Sequence, residues 1–137
     1  MFRIVNERLA WWPVTFPGVS EDGSVIENRI ELRFRILDDD EFPDFLVKLT
    51  DVAAMANPAI ADAAASGEAP PAPSVLAARL LSPIVRDWRG VAAENGEALS
   101  FSEDTFRLLL RQPGVSGAVG RAYINCRNAT PEVRAGN

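Results

Sequence analysis

The clearest pattern along the chain is a strict alternation from Ile26 to Ile36. Ile26, Asn28, Ile30, Leu32, Phe34 and Ile36 fall on one side, and Glu27, Arg29, Glu31, Arg33 and Arg35 on the other. A strand points successive side chains to opposite faces, so this row predicts a half-buried strand with one wet, zwitterionic face. Upstream, Trp11-Trp12-Pro13-Val14-Thr15-Phe16 is aromatic and β-prone, with Trp12, Val14 and Phe16 on a shared side. The stretch between them, 18–24, carries Asp22-Gly23 and other turn formers. Together they predict an antiparallel hairpin over about residues 10–37. Pro13 and Pro17 put its first strand at a sheet edge, because proline has no N–H to give the ladder. A lone hairpin is marginal in water, so its apolar face must rest on helices or further strands.

The period then changes. Phe42, Phe45, Leu46, Leu49 and Val52 or Ala53 recur at three-to-four spacing, an amphipathic stripe over about 40–57. Asp40 is placed to cap it, Pro43 suits its first turn, and Asn57-Pro58 ends it. Residues 58–73 are mostly Ala, Pro and Gly and predict a mobile connection that contributes no core. Ser74 then caps a second helix over 74–88, with Val75, Leu76, Leu80, Ile84 and Trp88 near one face and Ser82-Pro83 kinking or splitting it. A loop with Asn95-Gly96 at its tip follows. Ser102 caps a third helix over 102–112, with Phe101 and Phe106 at the positions of a hydrophobic staple. A fourth helix, 114–128, carries Val115, Val119, Tyr123 and Cys126 among small residues; each of its glycines weakens it by about 1 kcal/mol relative to alanine. The tail from Thr130 lacks periodicity and is expected to fray. The expected architecture is a single α+β domain over 1–137, an N-terminal hairpin packed against three to four helices.

The inventory narrows the chemistry. The chain of 137 residues contains no histidine, which removes Ser-His and Cys-His pairs, imidazole acid–base chemistry and histidine metal sites. One cysteine, Cys126, permits neither an internal disulfide nor a cysteine zinc site, and it fits a reducing compartment. Nineteen acidic against fourteen basic side chains give a net charge of -5, a poor match for nucleic acid or an anionic membrane. No run approaches the length of a membrane span or the core of a signal peptide. Asp38-Asp39-Asp40-Glu41 lacks the calcium-loop spacing, since Phe42 and Pro43 occupy its fifth and sixth positions, and reads as a solvated capping run. A carboxylate–metal enzyme using Asp38, Asp40 and Asp44 is the rival enzymatic reading. No catalytic, cofactor-binding or metal-binding residue is expected.

Three clusters stand in a suggestive order: Trp88-Arg89-Gly90-Val91, then Glu94-Asn95-Gly96, then Leu99-Ser100-Phe101-Ser102. With Trp12-Pro13-Val14, Arg33-Phe34-Arg35 and Arg121-Ala122-Tyr123, the chain resembles the tail assembly chaperones of long-tailed bacteriophages and prophages over roughly 11–48 and 75–127. The resemblance implies a non-enzymatic protein of the host cytoplasm. Such chaperones bind the tape-measure protein, keep it soluble, help recruit tail-tube subunits, and leave before the tail is complete. Many relatives also have a longer, frameshifted form. A structural tail or head–tail component is the alternative.

On that reading the expected contacts are Trp11, Trp12, Trp88, Phe101, Phe106, Leu110, Val119 and Tyr123, with an apolar groove between the C-terminal helices holding a client helix. Each residue also has a plainer reading. Trp88 packs on the hairpin, Phe101 and Phe106 form a staple, and the glycine-spaced face of 114–123 admits an intramolecular neighbour. Trp11 and Trp12 are adjacent, so a flat strand leaves one of them outside the core. Weak self-association is a further expectation.

Overall fold

Strands β1 (Arg8–Val19) and β2 (Val25–Ile36) form the expected antiparallel hairpin, with Trp12 opposite Leu32 and Val14 opposite Ile30. Its turn is closed by the Asp22 carboxylate, which accepts from the Ser24 N–H and from the Ser20 and Ser24 hydroxyls. Gly23 takes the positive φ of +88° that the turn requires. The computed structural model describes residues 1–55 and 72–129. The expected helix end at Asn57-Pro58, the 58–71 portion of the Ala/Pro-rich connection and the tail from Thr130 lie outside the described residues.

Among the described residues four helices follow: α1 (Phe42–Met55), α2 (Pro73–Leu81), α3 (Glu103–Leu110) and α4 (Val115–Arg127). The α+β expectation therefore holds. Two caps differ from those expected. Asp38, not Asp40, accepts the N–H groups of Asp40 and Glu41 at the entry to α1, because the chain turns there before it coils. Ser74 lies inside α2, which starts at Pro73 without a side-chain cap. Ser102 caps α3 as expected; its Oγ accepts the Thr105 N–H, while the Thr105 hydroxyl accepts the Ser102 N–H.

The helix expected over 74–88 is corrected. It stops at Leu81, Ser82–Ile84 form a 3₁₀ turn, and Val85–Arg89 form a third strand, β3, antiparallel to β2. Pro83 has no N–H and its ring clashes with the preceding helical turn, so the helix cannot pass it. The sequence pattern is deceptive beyond that point. Phe34 pairs with Val85 and Arg33 with Asp87, so Arg86 is an extra residue in the ladder. The bulge puts Val85 and Trp88, three apart, on the same buried face, which imitates helical spacing.

The sheet order is β1-β2-β3, so the proline-bearing strand is at the edge, as expected. The helices among the described residues all pack on one side of the sheet. The core joins Trp12, Val14, Leu32, Phe34 and Trp88 of the sheet to Phe45, Leu81, Phe106, Val115, Val119 and Tyr123 of the helices. Tyr123 is its hub, edge-on to Phe34 and Phe45 at centroid distances of 5.2 and 5.1 Å. The opposite sheet face is polar; Trp11 lies there beneath the Arg89 guanidinium, 3.7 Å from its ring centroid.

Candidate functional site

The eight residues expected to meet a partner divide sharply. Trp12, Trp88, Phe106, Leu110, Val119 and Tyr123 are buried in the core and present no contact surface. Their apolar rows are satisfied within the chain, which is the plainer reading of each. The Trp88 indole N–H donates to the Leu99 carbonyl at 2.7 Å, and its ring meets Phe101 edge-on. Phe101 reaches Phe106 at 5.8 Å, the expected staple contact. Phe101 and Trp11 are half-buried. Where a groove between the C-terminal helices is expected, α3 and α4 turn Phe106, Leu110, Val115 and Val119 into the core. The glycine-spaced face of α4 meets an intramolecular neighbour: a Cβ at Gly120 would stand 3.1 Å from Leu49 of α1.

Two titratable groups lie within this core. Burial raises the Tyr123 hydroxyl above its ordinary value, although it is hydrogen-bonded, and pushes the Cys126 thiol up to about 11. The neighbouring arginines Arg121 and Arg127 do not make Cys126 a ready nucleophile. Among the described residues, no three acidic or thiol groups converge to hold a metal ion. The Asp38–Glu41 run acts as the cap and as a partner for arginine: Asp39 pairs with Arg127 and Glu41 with Arg35.

An open concave surface lies elsewhere. Strands β1 and β2 are each twelve residues long, but β3 pairs only with Glu31–Phe34. The distal half of the hairpin therefore projects past β3. Below its inner face is a groove of about 560 Å³. Phe16 and Ile30 form its roof, Val91 one wall, and Leu109 and Pro113 the floor. Asn28, in the inward row, also lines it, and its side chain has no hydrogen-bond partner among the described residues. Toward the turn, Ile26 on this face is exposed at 44%, and Val19 and Val25 on the opposite face at 72% and 77%. A separate hollow at the hairpin's margin is lined mainly by Thr15, Pro17, Val25 and Glu27 of the opposite face and also touches Phe16 and Ile26.

The sequence contained a sign of this groove. Asn28 interrupts an otherwise apolar inward row, marking where the helical layer ends. The contributions of Val91, Leu109 and Pro113 are tertiary and have no local signature. No protein-family model, curated protein or solved structure matches this chain. Among the described residues, no helix is long and apolar enough to cross a membrane.

Proposed function

We propose that this protein is a non-enzymatic tail assembly chaperone that binds the tape-measure protein in the host cytoplasm and supports recruitment of tail-tube subunits. The order and spacing of the Trp-Pro-Val, Arg-Phe-Arg, Trp-Arg-Gly-Val, Leu-Ser-Phe-Ser and Arg-Ala-Tyr clusters support this reading. The structural observation that carries it is the apolar groove below the projecting hairpin, on the same face as the exposed Ile26. Contiguous apolar surface on a small protein is characteristic of sites that engage another polypeptide. The expected mode changes accordingly, from a cleft between the C-terminal helices to one between the hairpin and the α3–α4 corner.

Co-expression with the tape-measure protein tests the reading. The expected result is a soluble complex, with this chain missing from finished particles by mass spectrometry. A tape-measure protein that stays equally insoluble would reject the chaperone, and retention in the virion would favour a structural tail component.

A further inference from the structure

The sheet presents edges on β1, on β3 and on part of β2, and the first two are blunted. On β1, Pro13 and Pro17 remove donors from the outer edge. On β3, the outward N–H of Trp88 is taken by the Asp87 carboxylate at 2.8 Å. The third edge is the part of β2 that β3 does not reach. The Ser20 N–H donates to the Ser24 carbonyl, so the hairpin's hydrogen-bonded pairs are the even-numbered residues. Val25, Glu27 and Arg29 therefore turn their N–H and C=O groups away from β1. Among the described residues, no main-chain or side-chain group bonds to them. The β2–β3 pairing ends at Glu31 and Arg89, and the next residue, Gly90, turns at a φ of +83° with its Cα side against Arg29 and Ile30.

We propose that the uncovered edge of β2, Val25–Arg29, takes an extended polypeptide segment as an added strand, in line with β3, whose alternate side chains fill the groove below. This rests on the protein-binding reading above and names its mode. An exposed strand edge requires main-chain donors and acceptors, and an apolar groove beside it requires alternate apolar side chains; an extended segment with apolar residues at every second position supplies both. A helix satisfies its own main chain and leaves the edge unpaired. A second copy is a poor occupant. Edge-to-edge pairing with Val25 opposite Arg29 sets Glu27 opposite Glu27 of that copy, and like charges directly opposite each other oppose pairing.

The probe is a short capped peptide alternating valine and threonine. Its controls are the same peptide N-methylated at alternate residues and an amphipathic helical peptide of leucine and glutamate. Binding is read by amide chemical shifts of the full chain. The expected result is movement of the Val25, Glu27 and Arg29 amides with the unmodified peptide and, on loss of the edge bonds, affinity lower by about tenfold for the methylated one. Glu27→Pro should lower affinity similarly while leaving the β1 ladder intact, since that N–H faces away from β1. The N-methylated control on the unaltered chain keeps the test valid if the variant does not fold. Equal binding of the methylated or helical peptide, or shifts confined elsewhere, would overturn the proposal. So would concentration-dependent shifts of these amides without peptide, which would make a second copy the occupant. Tape-measure solubility is scored separately: a client solubilised equally by Glu27→Pro sinks the strand-addition mode but not the chaperone, whereas peptide binding at the edge by an unaltered chain that leaves the client insoluble sinks only the chaperone.

Discussion

The Tyr123 hydroxyl accepts the main-chain N–H of Leu37 at 2.8 Å, joining the last helix to the residue just after β2. The same hydroxyl donates to the Arg35 carbonyl at 3.0 Å, and Arg127, one turn on, donates to the Leu37 carbonyl. One helix face thus satisfies the main chain where the sheet ends and α1 is about to begin. Tyr123→Phe keeps the ring and its contacts with Phe34 and Phe45 but leaves the Leu37 N–H buried without an acceptor. Urea unfolding should show a loss of about 1–3 kcal/mol.

Two glycines of α4 should respond in opposite ways. Gly117 is exposed, and a Cβ there meets only the end of the Arg121 side chain. Gly117→Ala should stabilise by about 0.5–1 kcal/mol through helix propensity. Gly120 is buried against Leu49. Gly120→Val should destabilise by about 1–3 kcal/mol, because branched bulk must push α1 away. Paired thermal melts of the two variants test the assignment.

Cys126 should behave as an inert core residue. Its thiol is raised from 9.0 to about 11 by burial. That difference lowers the native thiolate fraction about a hundredfold at neutral pH. Maleimide labelling should therefore be slower in the native protein by at least that factor than in denaturant. Rapid native labelling would show that α4 does not pack as described.

The hairpin turn should carry an acid-sensitive element. Hydrogen bonds from Ser20 and Ser24 hold the Asp22 carboxyl at about 2, below its ordinary 3.8. A depressed carboxylate stabilises the folded turn above its unfolded value and loses that contribution as pH falls through the folded one. The turn contribution should be complete above about pH 4 and lost toward pH 2. The Ser24 amide shift should titrate with a midpoint near 2, and Asp22→Asn should abolish that titration.

The sequence by itself determined the hairpin, its edge strand, the Ser102 cap, the Phe101–Phe106 staple and the α+β class. These depend on period-two alternation, missing proline donors and short-range hydrogen bonds, all set within a few residues. Tertiary structure decided the rest. The bulge at Arg86 set Val85 and Trp88 on one face at a spacing that is helical in the sequence and extended in the fold. Packing consumed six of the eight expected contact residues, since an apolar row shows only that a face must be covered, not whether the cover belongs to the same chain. The groove and the uncovered β2 edge arise from unequal strand lengths and the turn at Gly90. Both depend on where β3 stops along a strand about sixty residues earlier, a long-range relation with no local signature in the sequence.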